Sequence, residues 1–480
     1  MPATSVFPHG SHSVLLHAAN TDPSLQELIA DLKKGADLAR AIRGVLAVAE
    51  KPLPESATDS NIIRAIMSLM WNFEINGKTS RKLNAALVNR RKAQHAYRSA
   101  HRDFLASEKI TRYWRNSADE VLYANVTTYS LPKLKKPYPP RGIWACESQE
   151  INDLWEDHIR FGPQPDKRHK RYPPMVVDER NLSLIIPHDE SCIVLDPKTN
   201  EIVLIVIRNF VATRSVLEWM SEVISVACDT RKCIRMEDTG SIVQIGFSAG
   251  ARSQPNFHWV RNLLKKFPKD DIEKYTKDQC AVFAFFWNLL VHQLPSEIIS
   301  DFYDFMNKNL LPVMNPDWVD FTKKKGSYAL PVGDQIHTFH DVELAPPQAV
   351  MAHNYSRAMH TESQPHKYSC SLTAKRNGSA TDGGHFYIGA YGIKVCASAN
   401  SMIAWQPQHL HGTSLPNFSP SDPNPWYIHQ GISFVSSPRI AGVWKAYMNK
   451  IPAGQVISDA AAKEAAEELW GEHSKLDERF

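Results

Sequence analysis

Residues 382–414, "DGGHFYIGAYGIKVCASANSMIAWQPQHLHGTS", constrain the possible folds more than any other stretch of this chain. A Gly-Gly pair at the start, Gly392 and the polar run 398–401 separate short segments rich in apolar and aromatic residues. Such segments are too short for helices and are typical of strands joined by tight turns. The stretch therefore predicts an antiparallel sandwich or barrel, whose last strand carries His409 and His411.

The N-terminal part of the chain has helical rather than strand-like periodicity. Apolar residues recur at intervals of three and four over 22–50, and the pattern resumes over 60–123. Eleven Lys and Arg lie between Lys78 and Arg115, against two acidic residues. This charge indicates either a solvated helix face or a surface that binds a polyanion. We therefore predict a helical, basic region over 1–130.

Proline-rich, basic segments then interrupt the helical pattern, and strand-like sequence follows from about residue 182. The segments "CIVLD" and "EIVLIVI" flank a turn at 196–200 and predict a hairpin, and a helix is expected over 215–227. Helices followed by a strand-rich half are typical of an α+β fold. The remaining predicted divisions are a linker over 131–175, a main domain over 176–450 and a C-terminal helix in 451–480.

The composition favours a globular protein and argues against a membrane protein. Hydrophobic residues make up 43% and charged residues 22% of the chain, close to the averages for globular domains. The longest apolar run, at 280–291, is shorter than the roughly 20 residues that span a bilayer. The seven cysteines show no metal-like spacing, so we expect buried thiols in a reducing compartment.

Three His-x-acid tripeptides, at 101–103, 188–190 and 360–362, are candidates for half of a non-haem iron site. Such a site holds Fe(II) with two His and one carboxylate, and residues i and i+2 of a strand point to the same side. The first tripeptide lies in helical sequence, and the second lies 70 residues before the next histidine. His360-Thr361-Glu362 enters a strand pattern, with His409 and His411 following 49 and 51 residues later. Spacing alone leaves either histidine as the third ligand.

The chain contains, in order, the motifs His360-Thr361-Glu362, "YSCSLTAK", Gly383-Gly384-His385-Phe386, Tyr391-Gly392-Ile393 and His411-Gly412-Thr413. This ordered set resembles the double-stranded β-helix of the 2-oxoglutarate and Fe(II)-dependent dioxygenases, in particular the TET/JBP family and its fungal-type members. These enzymes oxidise methylated pyrimidines in nucleic acid. The resemblance implies a jelly-roll, cupin-like core with flanking helices, a dioxygenase domain over 176–450, and Fe(II) and 2-oxoglutarate as cofactor and cosubstrate. It implies His360, Glu362 and His411 as metal ligands.

This chain departs from the family pattern at two positions. The family carboxylate is usually Asp, whereas Glu362 is one methylene longer. The family also places an Arg near the start of the last strand, where it grips the distal carboxylate of 2-oxoglutarate. Here that position is occupied by His429, Gln430 or Gly431. The predicted cosubstrate-binding residues are Gln430, His429, Lys367, Tyr368 and Ser433, with Lys375, Lys394 and Arg439 as further cations and Tyr387 and Tyr391 as further hydroxyls.

The function implied by the resemblance is oxidation of the methyl group of 5-methylcytosine or thymine, in DNA in preference to RNA. A base in a duplex would have to be flipped out to reach the metal. This substrate and the basic cluster at 167–171 suggest nuclear residence. Without the usual Arg, a catalytically inactive DNA-binding protein and an oxygenase of proteins or small molecules remain alternatives. Candidates for contacts with the base are Arg252, Asn256, Phe257, His258 and Asn354.

Overall fold

The computed structural model describes residues 6–110, 118–162, 170–260, 262–264, 268–316 and 323–449. Contacts divide the chain into two compact units, Met1–Ala106 and Ser107–Phe480. The helices are α1 (Ser11–Thr21), α2 (Pro23–Ala30), α3 (Gly35–Val48), α4 (Asp59–Ile75), α5 (Arg81–Ser107), α6 (Ala118–Asn125), α7 (Gln149–Phe161), α8 (Arg214–Thr230), α9 (Lys269–Gln293), α10 (Ser296–Lys308) and α11 (Ile440–Met448).

The strands belong to the larger unit. They are β1 (Thr127–Ser130), β2 (Trp144–Cys146), β3 (Pro174–Val176), β4 (Leu184–Ile186), β5 (Cys192–Leu195), β6 (Ile202–Arg208), β7 (Thr239–Gly250), β8 (Pro255–Trp259), β9 (Lys325–Val332), β10 (Gln335–Glu343), β11 (Gln348–His360), β12 (Ser369–Arg376), β13 (Phe386–Ile388), β14 (Ile393–Val395), β15 (Ser401–Trp405), β16 (His411–Thr413) and β17 (His429–Phe434).

The smaller unit is helical, and its core is formed by apolar residues at helical spacing. The single helix expected over 22–50 is instead two helices, α2 and α3. The break falls at Asp31, whose backbone N–H closes α2 and whose side chain accepts a hydrogen bond from Lys33 N at 2.8 Å. Asp residues favour such local bonds over a continuous helix.

Helix α5 carries the basic stretch, and its cations differ in their surroundings. Arg90 is buried and donates to the carbonyl oxygen of Ile29 at 2.9 Å. Arg91 pairs with Glu74. These two arginines therefore stabilise the helical unit itself, so fewer cations of the helix remain to bind a polyanion. The other cations of the helix, all exposed, are Arg81, Lys82, Lys92, Arg98 and Arg102.

The larger unit is built on one long, bent strand, β11. Its first half pairs with β7 and β17, and its second half pairs with β16. The bend falls at Asn354, which has a φ of 52°, a conformation that Asn tolerates better than most residues. The Asn354 side chain fixes the bend by donating to Tyr427 O at 2.9 Å and accepting from His429 N at 2.7 Å. Asn354 therefore has a structural role instead of the predicted contact with a base.

This bend turns one continuous sheet into two facing sheets. The first runs β6-β15-β12-β17-β11 and the second runs β11-β16-β13-β14, and neighbouring strands within each are antiparallel. Two facing antiparallel sheets whose strands alternate along the chain form a double-stranded β-helix. The predicted α+β fold with this core is confirmed.

Helices cover the outer face of the first sheet. Helix α8 packs on β11, β12 and β17, and it contains the predicted helix 215–227. Helix α9 contains the apolar run 280–291, with Phe286 stacked on Phe434 of β17 at a ring distance of 5.4 Å. The predicted hairpin is also confirmed, because β5 and β6 pair antiparallel. Among the described residues, no helix is both long and apolar enough to cross a membrane.

The segment 131–175 contains packed structure where a linker was predicted. Strand β2 pairs with β3, and Trp155 of α7 donates from Nε1 to Pro416 O at 2.7 Å. The expected boundary at 130 also shifts, because β1 pairs with β5 inside the larger unit. The C-terminal helix predicted for 451–480 and most of the basic cluster 167–171 lie outside the described residues.

Candidate metal centre

His360, Glu362 and His411 lie together where β11 meets β16. His360 is the last residue of β11 and His411 the first of β16, and they are direct partners in the antiparallel pairing. Each of the three residues offers a ligand atom, and these atoms all lie within 4.8 Å of one another. The backbone N–H of Glu362 donates to Pro407 O at 2.9 Å, which fixes the chain just after β11. The structure thus brings the three predicted ligands into one cluster.

Backbone carbonyls orient both imidazoles. Nδ1 of His360 lies 2.8 Å from Ala358 O, and Nδ1 of His411 lies 2.8 Å from His409 O. Because a carbonyl oxygen only accepts, each Nδ1 carries the proton and each Nε2 keeps its lone pair for a metal. Burial also lowers the pKa of His411 to about 3, so this imidazole is neutral at physiological pH. Neutral imidazole is the form that binds metals.

The third member, Glu362, is held as a carboxylate by its neighbours. Its Oε1 pairs closely with Arg357 and lies 3.4 Å from an Arg235 nitrogen. Its Oε2 has a weaker contact, 3.5 Å from Gln364 Nε2. Burial acts to raise the pKa of Glu362, but the nearby His360 ring and the charge of Arg357 outweigh it and hold the pKa well below its usual value. The donor set is therefore two imidazoles and one anion.

A half-buried network holds Arg357 in place behind the carboxylate. Its Nε lies 3.4 Å from Asp238 Oδ2, and the hydroxyl of Tyr355 donates to the same oxygen at 2.6 Å. Tyr355 and Arg357 are two residues apart on β11, so their side chains lie on the same side of the strand. Asp238 and Glu362 together neutralise the arginine, which fixes the orientation of Glu362.

Gly412 permits the close approach of β16 to β11. A Cβ atom there would lie 2.8 Å from Met359 Sδ and 2.9 Å from Arg357 O. No ordinary side chain fits without moving one of the two strands. The small residue after His411 thus sets the distance between the strands that carry the two histidines.

The cluster opens into a cavity of about 730 Å³ between the two sheets. Directly paired residues share a face of a sheet, so the pairing defines a row of cavity-facing residues across β15, β12, β17 and β11: Ser401, Thr373, Gly431 and Ala352. His360, His411 and Trp405 line the opposite end, which we call the metal end. The end at Ser401 is called the inner end.

The predicted cosubstrate residues of β17 divide between its two faces. His429 and Ser433 line the cavity, as does Gly431. Gln430 points the other way, and its amide bonds to Ser221 Oγ at 2.5 Å and Ser225 Oγ at 2.6 Å on α8. The prediction for Gln430 is corrected, because alternation along the strand turns it toward the covering helix.

Lys367 and Tyr368 also lie away from the cavity in which the prediction placed them. The Lys367 ammonium lies 3.0 Å from Glu201 and 3.4 Å from Glu297, and the Tyr368 hydroxyl bonds to Glu297. Both side chains lie outside the residues that line the cavity. Strand β12 begins at Ser369, one residue after Tyr368, so neither side chain takes part in the alternation along the strand.

The alternative cations and hydroxyls are engaged elsewhere. Lys394 and Tyr387 both bond to Glu147. Arg439 donates to Gly250 O at 2.7 Å, and Tyr391 donates to Asp196 Oδ2 at 2.7 Å. Lys375 lies opposite Gln430 and not among the cavity-lining residues.

His409 is excluded from the cluster by local structure. It lies in the turn before β16, with its ring edge-on to Tyr391 at 5.1 Å. Its contribution to the site is its carbonyl oxygen, which accepts from His411. Of the candidates for base contacts, Arg252 lines the cavity, whereas Phe257 packs in a cluster with Phe247.

Three arginines at the cavity, Arg208, Arg235 and Arg357, were missed by the reasoning from sequence. Arg208 had a detectable signal, because it ends the apolar run "IVLIVIR" of β6. A charged residue that closes a buried strand needs a partner or a function. Arg357 precedes His360 by three residues, but its pairing with Glu362 depends on the strand end and not on spacing.

Comparisons with known proteins give structural but no sequence matches. No protein-family model matches the chain, and no curated protein matches it. One similar solved structure is NgTET1 in complex with 5mC DNA, with 10% identity and a TM-score of 0.35, covering 63% of this chain and 97% of that one. Another is an oxidoreductase of the 2OG-Fe(II) oxygenase family from Burkholderia pseudomallei, with 10% identity and a TM-score of 0.25, covering 48% and 82%. Fungal-type membership stays a prediction.

Proposed function

We propose that this protein is a 2-oxoglutarate- and Fe(II)-dependent dioxygenase that oxidises the methyl group of a methylated pyrimidine in nucleic acid. The observation that carries the proposal is the convergence of His360, Glu362 and His411 on one cavity of about 730 Å³. Two His and a carboxylate on one side of a metal leave positions open for a bidentate cosubstrate and dioxygen, which is the donor set of non-haem Fe(II) oxygenases.

Residues of this chain fit Fe(II) in both charge and orientation. His360 and His411 would bind through Nε2, because Nδ1 of each is committed to a carbonyl. Glu362 would bind through its carboxylate while Arg357 keeps that group ionised and oriented. When bound, the iron and 2-oxoglutarate supply the oxidising chemistry, and the protein supplies position and a shielded cavity.

The cavity offers room for a substrate beside the cosubstrate. Its volume lies in the upper part of the ~300–1,000 Å³ range of small-molecule pockets. Phe386 and Trp405 contact the His411 ring, each with ring centroids 5.9 Å from it, and so provide apolar walls near the metal end. These walls suit a flat base, because stacking is how flipped bases are held.

An exposed cation among the cavity-lining residues, Arg252, favours a polyanionic substrate over a neutral one. Phosphate contacts from Arg supply much of the affinity for nucleic acid and make it salt-dependent. This charge supports a nucleic acid as the source of the pyrimidine.

The test is product analysis with defined oligonucleotides. The protein is incubated with Fe(II), 2-oxoglutarate, oxygen and DNA or RNA containing 5-methylcytosine or thymine, and the nucleosides are analysed by mass spectrometry. We expect a hydroxymethylated base with the wild type and with His409→Ala, but not with His360→Ala. Turnover of 2-oxoglutarate without any oxidised base would redirect the search to proteins or small molecules. No binding of metal and 2-oxoglutarate would indicate an inactive oxygenase fold.

A further inference from the structure

The inner end of the cavity contains a buried guanidinium, that of Arg208. Arg208 is directly opposite Ser401 in the pairing of β6 with β15, so the two residues share the cavity-facing side of the sheet. Ser401 pairs in turn with Thr373, and Thr373 pairs with Gly431. One row across four strands therefore presents a guanidinium, two hydroxyls and a residue without a side chain.

This row lies at the opposite end of the cavity from the metal cluster. Strand β11 ends and β16 begins at the metal ligands, and β15 ends nearby at Trp405, whose ring is 5.9 Å from that of His411. Ser401 starts β15, four residues earlier, which is about 13 Å of strand. The metal ligands and Arg208 therefore face the same cavity from its two ends.

The charge of Arg208 has no anionic partner among the described residues. Nε donates to Glu190 O at 3.1 Å, Nη1 to Ser401 Oγ at 2.9 Å, and Nη2 to Pro187 O at 2.6 Å and Cys396 O at 2.9 Å. All four acceptors are neutral, and within the described part of the chain no carboxylate lies within 4.0 Å. A guanidinium has five N–H groups, so one hydrogen on Nη1, the nitrogen that bonds to Ser401, remains available.

Burial makes this charge costly, because Asp189 and Glu190 offset it only from a distance and without direct pairing. Arg208 is 8% exposed, and burial lowers its pKa, although arginine stays a cation in proteins. Lys394, another buried cation of this unit, is paired with both Glu147 and Glu179. An anion bound at the inner end would pair with Arg208 as the two glutamates of the protein pair with Lys394.

Gly431 leaves space beside this cation. It occupies a cavity-facing position of β17, between Thr373 on β12 and Ala352 on β11. No side chain of β17 therefore reaches across the row at this level. His429, the next cavity-facing residue of β17, has a pKa lowered by burial to about 3 and adds no charge at neutral pH.

We infer that Arg208, with Ser401 and Thr373 beside it, binds the distal carboxylate of the dicarboxylate cosubstrate and so determines its specificity. This inference rests on the proposed function, in which 2-oxoglutarate is bound to the metal through its 2-oxo acid end. The cation comes from a strand outside the region where the family resemblance places it, and Gly431 makes room for the carboxylate.

The experiment compares two ligands that differ only at that end. Dissociation constants for 2-oxoglutarate and for 2-oxobutyrate, which has the same 2-oxo acid group without the distal carboxylate, are measured calorimetrically with Mn(II)-loaded protein. A charge-assisted contact predicts that the wild type prefers 2-oxoglutarate by about 10- to 100-fold. Arg208→Gln should reduce the preference to nearly none, and Arg208→Lys, which keeps the charge without the planar fork, should retain part of it.

Arg231 provides a matched control. It is also a buried guanidinium held by neutral groups, Gln279 and Asn262, but it does not line the cavity. Arg231→Gln should destabilise the fold by a similar mechanism and leave the ligand preference unchanged. If Arg208→Gln does not fold, the preference of Arg208→Lys relative to wild type decides the question.

The outcomes separate the two proposals. A full preference for 2-oxoglutarate in Arg208→Gln or Arg208→Lys, or equal binding of both ligands by the wild type, would overturn the role of Arg208. If the wild type binds neither 2-oxo acid in the presence of metal, the proposed function itself fails.

Discussion

The two ends of the cavity differ in how their arginines are compensated. At the metal end, Arg357 pairs with Glu362 and Asp238, and Arg235 lies within 4.0 Å of Glu362 and Glu237. At the inner end, the Arg208 guanidinium donates to three carbonyls and one hydroxyl. The arginines of the metal end thus fix a carboxylate of the protein itself, that of Glu362. The inner end is suited to an anion that comes from outside.

The largest effect is expected from removal of a metal ligand. His360→Ala or His411→Ala should weaken Mn(II) binding by more than about 100-fold, because even loss of a supporting residue costs up to that much. Calorimetric titration measures it. His409→Ala is the matched control, since His409 lies two residues away in a turn and outside the cluster. Equal weakening by His409→Ala would show that the cluster is not the binding site.

Loss of Arg357 should affect both metal affinity and stability. Arg357→Met leaves Glu362 without its closest cation and Asp238 without its ion pair. We expect metal affinity to fall about 10- to 100-fold and the free energy of unfolding to fall by about 3 kcal/mol. Urea unfolding of the metal-free protein separates the second effect from the first. An unchanged metal affinity would mean that Arg357 does not orient Glu362.

Acidification should lower stability through the half-buried His429 at the inner end. Burial, assisted by the nearby charge of Arg376, lowers its pKa to about 3, whereas an unfolded histidine titrates near pH 6.5. The unfolded state therefore binds the proton first, and stability is lost as the pH falls below about 6.5. Between pH 7 and 5 this residue should cost about 2 kcal/mol. In His429→Gln, unfolding free energies at the two pH values should differ by that much less than in wild type.

The smallest effect is expected for Arg235. Its side chain is 35% exposed and lies 3.4 Å from Glu362, a longer and wetter contact than that of Arg357. Arg235→Ala should therefore lower stability by less than about 1 kcal/mol and leave Mn(II) affinity within about threefold of wild type. Effects as large as those of Arg357→Met would mean that the two arginines share the role.

Strand alternation explains which site residues could be predicted from sequence. His360 and Glu362 were recognisable because the tripeptide precedes a strand pattern, and His429 because it lies near the start of the last strand, where the family pattern has an Arg. Once the register of β17 is known, the same alternation excludes Gln430 from the cavity, because its side chain points to the other face of the strand. Lys367 and Tyr368 failed because the start of β12 could not be placed to within one residue.

Other features depend on contacts between distant segments, which no local pattern contains. Arg208 meets Ser401 across 193 residues, and Arg357 reaches Glu362 only because the chain turns after β11. Asn354 looked like a loop residue, but the fold uses it at the bend of β11. Short strands and glycine turns predicted an antiparallel sandwich or barrel, and the double-stranded β-helix was implied by the family resemblance.

The most direct test of the site is anaerobic absorption spectroscopy of the protein with Fe(II) and 2-oxoglutarate. A metal held by His360, Glu362 and His411 with a chelated 2-oxo acid should give the weak charge-transfer band of such a complex. We predict the band for wild type and His409→Ala and its loss in His360→Ala and His411→Ala. Absence of the band in wild type at saturating Fe(II) and 2-oxoglutarate, or its persistence in both ligand variants, would contradict the proposed metal centre.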